Sequence, residues 1–91
     1  MQIDRLPAGD MIQKGIGDLR AGRVSVASLL VCIGAQRIRR GGLEIPDVRI
    51  DEPEIRLYEM LAAEDPDAAH SRYNALIRQL VSFERALECA A

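Results

Sequence analysis

Apolar side chains recur at alternating steps of four and three residues in the last third of the chain. This spacing is typical of a helix that packs along its whole length, and it predicts a longest, fourth helix over residues 66–89. The candidate core or interface stripe on this helix consists of Tyr73, Leu76, Ile77, Leu80, Val81, Phe83 and Leu87. Its apolar arc of about 160° is wider than a two-stranded coiled coil needs, so we expect the helix to lie in a groove.

The same periodicity predicts two helices in the first half of the chain, over residues 8–21 and 26–40. Ser25 is a good N-cap for the second of these, whose apolar arc of about 200° lets it contact neighbours on several sides. We therefore expect the second helix to be central. Gly34 lowers helix propensity within it, and a close helix crossing is the usual reason for such a glycine.

A third helix is predicted over residues 53–64, after an extended segment over residues 41–52. Two glycines and a proline exclude a helix in that segment, and its apolar residues alternate with polar ones, which indicates an extended strap lying on the helices. A short strand pair is the alternative. Asp51 or Glu52 is expected to cap the third helix, with Pro53 in its first turn. Its predicted inner face comprises Ile55, Leu57, Tyr58, Leu61 and Ala62.

These elements predict an all-α fold, a small four-helix domain with an orthogonal or bundle-like arrangement. The chain has 91 residues, of which 48% are hydrophobic and only 3% aromatic, so its single core is built from aliphatic side chains. A domain of this length buries only about 60–65% of the surface that its unfolded chain exposes. Pairing with a second chain would add stability, and we therefore expect a homodimer or a complex with another protein.

Charge is distributed unevenly along the chain, with seven basic and three acidic residues in 1–42 and five basic and eleven acidic residues in 43–91. The N-terminal half carries a possible basic patch that consists of Arg20, Arg23, Arg37, Arg39 and Arg40. Such a patch makes a nucleic-acid-binding regulator the second functional hypothesis. It is not the favoured one, because the chain is acidic overall and three of these cations suit the C-terminal end of the second helix.

Two charged residues fall on apolar helix faces. Glu84 lies between Leu80 and Leu87 on the fourth helix, and Arg37 lies on the apolar side of the second. Buried charges need partners, so we predict an inner-face ion pair of Glu84 with an arginine, within one chain or across a dimer. Arg37 is the first candidate, and Arg20 or Arg23 is the next. The alternative is that both side chains lie near helix ends and extend into water.

The third functional hypothesis is a small-molecule site or enzyme around His70. His70, Arg72, Tyr73 and Asn74 form the one dense cluster of acid-base and hydrogen-bonding side chains in the sequence. An ideal helical wheel places them on diverging directions, and a histidine with no paired carboxylate or cysteine is more often structural than catalytic. We therefore predict no catalytic residues, and the chain is expected not to be an enzyme.

Cys32 and Cys89 are 57 positions apart and have no metal-ligand spacing, so both are expected to be free thiols. We accordingly predict no metal site and no cofactor. The sequence shows no signal-peptide pattern and no apolar run long enough to span a membrane, which favours a cytoplasmic protein. The leading hypothesis is a small, non-enzymatic module for protein–protein interaction or oligomerisation, of unknown pathway.

Overall fold

A computed structural model describes residues 3–90 and confirms the all-α prediction. A short 3-10 helix at Ile3–Arg5 precedes four α-helices: α1 (Gly9–Arg20), α2 (Val26–Arg40), α3 (Pro53–Glu64) and α4 (Ala69–Ala90). No strand occurs within the described range, so the strap at 41–52 does not form a strand pair there. The two termini of the predicted 1–91 domain lie outside the residues described.

Helix α2 is central, as its broad apolar arc predicts, because it contacts each of the other three α-helices. Ser25 caps it: the Ser25 hydroxyl accepts a hydrogen bond from the Ser28 backbone N–H at 3.1 Å, and the Ser28 hydroxyl accepts one from the Ser25 N–H at 2.7 Å. This reciprocal capping box satisfies backbone donors that the helix leaves unpaired. The side chains of α2 that are fully buried include Leu29, Leu30, Val31 and Ile38.

Helices α1 and α2 end in the same way, at a glycine with a left-handed backbone. Gly22 has φ of 73° and Gly42 has φ of 101°, a conformation that favours glycine because it has no Cβ. After α1 the Arg23 N–H donates to the carbonyl oxygen of Asp18 at 2.8 Å, which satisfies a terminal carbonyl of the helix. This turn carries the chain directly into the cap of α2.

The start and inner face of α3 differ from the sequence prediction. Glu52 is the N-cap residue, but it has φ of 50° and its side chain makes no capping hydrogen bond. Pro53 is the first helical residue, as predicted. Ile55 is 52% exposed and Tyr58 is also exposed, so the predicted inner face is too wide. The fully buried residues of α3 are Leu57 and Leu61.

Helix α4 begins at Ala69, three residues later than predicted, because residues 66–68 form a turn. Asp65 caps that turn: its Oδ1 atom accepts hydrogen bonds from the backbone N–H groups of Asp67 and Ala68 at 3.2 and 3.3 Å. The short connection makes α3 and α4 contacting neighbours, as expected for an αα-hairpin.

The strap packs partly against the core. Its half-buried apolar residues are Leu43, Ile45 and Ile50. Val48 departs from the prediction because it is exposed to solvent. The Arg39 guanidinium fastens the strap to α2 by donating hydrogen bonds to the carbonyl oxygens of Ile45 and Pro46, at 3.3 and 3.1 Å. The strap thus has a defined path along α2 despite its lack of regular structure.

Candidate functional site

A groove of about 450 Å³ lies between α2 and α4 on the surface of the domain. Its walls include the apolar residues Ile33, Ile77, Leu80 and Val81, and its two charged residues are Arg37 and Glu84. The groove is therefore lined by residues at the edge of the predicted α4 stripe and by both members of the predicted ion pair.

A glycine within α2 and another at its C-terminal cap allow α4 to approach closely beside the groove. A Cβ atom at Gly34 would lie 2.7 Å from Cδ1 of Leu80 and 2.8 Å from Oε2 of Glu84. Further along, a Cβ atom at Gly41 would lie 2.3 Å from Cδ2 of Leu87. These distances are shorter than ordinary van der Waals contact, so a Cβ atom at either position would require the neighbouring side chain of α4 to shift. The order of the contacts shows that α2 and α4 advance in the same direction.

The predicted stripe of α4 divides into a buried part and a marginal part. Leu80, Phe83 and Leu87 are buried, whereas Tyr73, Leu76, Ile77 and Val81 are only half-buried. Ile77 and Val81 belong to the groove wall. The arc that is too wide for a coiled coil thus faces the core on one side and opens onto the groove on the other.

Glu84 is the buried charged residue of the groove. It is 5% exposed, and its Oε1 atom lies 3.8 Å from Nη1 of Arg37, whose side chain is 64% exposed. That distance exceeds hydrogen-bond length, so the contact is an ion pair without a hydrogen bond. The structure brings the two residues together within one chain, with Glu84 buried and Arg37 extending towards solvent.

The surroundings of Glu84 disfavour its charged form. Burial raises the pKa of the Glu84 carboxyl above its ordinary value of 4.5, the Arg37 guanidinium lowers it, and the nearby Glu88 raises it further. The net direction is upward because the ion pair compensates only part of the desolvation. A carboxylate in this position gains from any additional hydrogen-bond donor that reaches it.

The predicted basic patch is largely engaged with the rest of the chain. Arg23 donates to Asp18 at 3.1 Å, Arg39 donates to strap carbonyls, and Arg37 lies beside Glu84. Arg20 and Arg40 are exposed on α1 and α2. Three of the five guanidinium groups therefore contact acceptors or an acid of their own chain, which weakens the case for a phosphate-binding surface.

The structure reveals a second buried carboxylate that sequence reasoning missed. Asp18 is 4% exposed and accepts hydrogen bonds from Lys14 at 3.0 Å, from Arg23 at 3.1 Å and from the Ser25 hydroxyl at 2.7 Å. The Ser25 and Lys14 hydrogen bonds lower the pKa of Asp18 to about 2. The available signal was its position four residues after Lys14 and shortly before the glycine turn that leads to Ser25.

The His70 cluster lies on the surface, and one part of its prediction is wrong. His70 and Asn74 do not diverge, because residues four apart share a helix face, and Nδ2 of Asn74 lies 3.2 Å from Nε2 of His70. Arg72 instead pairs with Glu64 of α3 at 2.8 Å. Tyr73 turns towards Tyr58, with ring centroids 5.8 Å apart. The contacts of Arg72 and Tyr73 join α3 to α4, and each of the four cluster residues has a structural neighbour.

The two thiols differ in their surroundings. Cys32 is half-buried in the groove, and burial raises the pKa of its thiol, with a smaller opposing effect of Arg39. Cys89 is exposed near the end of α4. Within residues 3–90, histidine, cysteine and acidic side chains do not form a group of three or more with metal-binding geometry.

No family model matches the chain, and neither the curated proteins nor the solved structures contain a significant match to it. No helix in the described part of the chain has both the length and the apolar character needed to cross a membrane.

Proposed function

We propose that this chain is a non-enzymatic module for protein–protein interaction that forms a homodimer through the groove between α2 and α4. The observation that carries the proposal is the half-buried apolar wall of the groove, formed by Ile33, Ile77 and Val81 around a buried carboxylate. An apolar surface with polar residues at its rim is a common site of protein–protein contact. A complex with a different protein is the alternative form of the same proposal.

The small core of the isolated chain favours association with a second chain. A chain of 91 residues with 3% aromatic residues has limited apolar surface to bury by itself. Covering the rest of a half-buried isoleucine gains roughly 1 kcal/mol, and in a symmetric dimer each residue contributes twice. Small residues along the same face of α2, Cys32 and Ala35, would let a partner helix approach closely.

The other hypotheses have less support in the geometry. A nucleic-acid-binding surface needs guanidinium groups that are available to phosphates, and three of the five candidates already contact their own chain. A catalytic site around His70 needs converging acid-base groups, and the contact of His70 is with Asn74, an amide. The free thiols of Cys32 and Cys89 fit a reducing compartment, so we place the proposed homodimer in the cytoplasm.

The proposal is tested by the solution mass of the wild-type chain across micromolar concentrations, measured by sedimentation equilibrium. We expect a dimer that dissociates on dilution. Ile77→Gln removes apolar surface from the groove wall and should raise the dimer dissociation constant about tenfold or more. Ile55→Gln makes the same chemical change at an exposed position of α3 and should leave the dissociation constant unchanged.

Thiol labelling gives a second reading of the same equilibrium. Cys32 lies in the groove, so its modification should slow as the protein concentration rises, while the rate at the exposed Cys89 stays constant and serves as an internal control. A wild-type mass equal to one chain at all concentrations, with Cys32 labelling that is independent of concentration, would contradict the proposal.

A further inference from the structure

The groove between α2 and α4 carries charges that complement each other. Its charged residues are one base, Arg37, and one acid, Glu84. Building on the proposed homodimer, we propose that a second copy of this chain occupies the groove and that Arg37 of each subunit donates hydrogen bonds to Glu84 of the other. The ion pair seen within one chain would thereby be exchanged across a two-fold axis.

Glu84 has unused capacity for such a contact. Its side chain is 6% exposed, it lines the groove, and no hydrogen-bond donor from residues 3–90 reaches its carboxylate. Within those residues no side-chain oxygen is both fully enclosed and without a hydrogen-bond partner, so the Glu84 oxygens remain open to the groove. An ionised carboxylate can accept about four hydrogen bonds. The cation at 3.8 Å offsets part of the cost of burial but does not provide a donor at hydrogen-bond distance. A donor from a second chain that enters the groove can therefore reach this carboxylate.

Arg37 has the freedom that an exchanged contact requires. Its side chain is 64% exposed, and no hydrogen bond to Glu84 fixes it at the observed distance. A guanidinium presents a planar fork of donors that matches a carboxylate in a bidentate pair, with bonds close to 2.8 Å. A short movement of a flexible arginine is sufficient to change its partner.

A second copy fits the groove better than a protein of one dominant charge. In a symmetric dimer the same patch occurs on both subunits, so a contact from residue i to residue j is repeated from j to i. One base and one acid on an apolar patch meet that requirement without leaving either charge unpaired. A strongly basic partner would bring cations next to Arg37, and a strongly acidic one would bring carboxylates next to Glu84.

The experiment mixes two variants, Arg37→Ala and Glu84→Gln. Each homodimer then lacks both exchanged pairs, but a mixed dimer retains one, between the intact Glu84 of one subunit and the intact Arg37 of the other. If the pair forms only within each chain, neither homodimer nor the mixed dimer retains any pair. The two variants differ in mass, so native mass spectrometry separates the three dimers in an equimolar mixture.

We expect the mixed dimer to be about tenfold tighter than either variant homodimer, the effect of one charge-assisted hydrogen-bonded pair. Random pairing gives about half mixed dimer, and a tenfold preference gives about nine-tenths. Circular dichroism on each variant establishes that it is folded. Arg37→Ala is expected to fold normally because the Arg37 side chain is 64% exposed.

The outcomes separate this inference from the proposed function. An excess of mixed dimer supports the exchanged pair. Random pairing of two variants that still form dimers overturns the exchange and leaves the homodimer intact. A wild-type chain that stays monomeric overturns both and leaves the groove to a different protein.

Discussion

Asp18 and Glu84 are equally buried carboxylates in very different surroundings. Asp18, 4% exposed, receives three side-chain hydrogen bonds at the corner between α1 and α2, and its pKa falls to about 2. Glu84, 5% exposed, has one cation at 3.8 Å in the groove between α2 and α4, and burial raises its pKa. Burial alone therefore does not decide the ionisation of a carboxyl; the donors around it do.

The difference also bears on where we propose that a partner binds. The Asp18 carboxylate joins the end of α1 to the Ser25 cap of α2, so it completes a turn that the fold requires. Glu84 joins nothing by a hydrogen bond within the described residues, although its desolvation is unfavourable. A protein that keeps such a group in a groove bears a cost that binding could recover, which is why we place the interaction at the groove.

The largest expected effect comes from adding a methyl group where α2 packs against its neighbours. Gly15 lies at the contact of α1 with α2, and Gly34 lies at the contact of α2 with α4. A Cβ atom at Gly15 of α1 would lie 2.3 Å from the backbone oxygen of Ala27, which cannot move aside, so Gly15→Ala should lower the free energy of unfolding by about 2–3 kcal/mol. At Gly34 the close atoms are the ends of Leu80 and Glu84, which are flexible. Gly34→Ala should therefore stay within about 1 kcal/mol of wild type.

Gly17 provides the matched control for both. It lies in α1, and a Cβ atom added there would have no neighbouring atom within 4 Å, so Gly17→Ala should raise the free energy of unfolding by about 0.5–1 kcal/mol through helix propensity alone. Urea denaturation of the three variants measures the series. Equal changes in the free energy of unfolding for Gly15→Ala and Gly34→Ala would show that the two helix contacts are equally tight, contrary to this prediction.

The second prediction exchanges each carboxylate for its amide. Asp18→Asn removes the charge and one acceptor oxygen from a network of three donors, so it should destabilise the fold. Glu84→Gln removes a desolvated charge that accepts no hydrogen bond, so stability should be unchanged or higher. Ser25→Ala removes the cap of α2 and one hydrogen bond to Asp18, so it should lower the free energy of unfolding by about 1 kcal/mol. The two amide variants are compared with this value.

These measurements require a protein concentration at which the chain is monomeric, because a dimer would add its own contribution to stability. Thermal and urea unfolding should rank the variants in the same order. A Glu84→Gln variant that is less stable than Asp18→Asn would show that the groove carboxylate is part of the structural framework instead of a binding feature.

The sequence identifies the charged residues Arg37 and Glu84 but not the buried Asp18, for physical reasons. Arg37 and Glu84 follow from the helical period, because a charged residue on the apolar face of a helix is visible in a single sequence. Gly34 follows from its low helix propensity within α2. Asp18 could not be found in this way. Its donors at positions 14, 23 and 25 converge only after the chain turns at Gly22, and the direction of that turn is a tertiary property.

The inner face of α3 shows a second limit. Ile55 and Tyr58 lie in a pattern that fits a broad apolar face, yet α3 uses only Leu57 and Leu61 as fully buried residues. Tyr58 instead contacts Tyr73 of α4 at the edge of the hairpin. How much of an apolar arc becomes buried depends on the neighbours available, which periodicity does not reveal.

The smallest expected effect is the pH dependence, which has opposite signs at the two carboxylates. The folded pKa of Asp18, about 2, lies below its ordinary value of 3.8, so its contribution is complete above that value and is lost as the pH falls towards 2. The folded pKa of Glu84 lies above its ordinary value of 4.5, so its unfavourable contribution is present at neutral pH and disappears as the pH falls towards 4.5. Urea denaturation should be measured across this pH range. The difference in urea midpoint between wild type and Asp18→Asn should shrink only below pH 3.8. Any higher midpoint of Glu84→Gln should already decrease at pH values above 4.5. Gaps that close together over one pH range would mean that the two carboxyls share the same environment, contrary to their different donors.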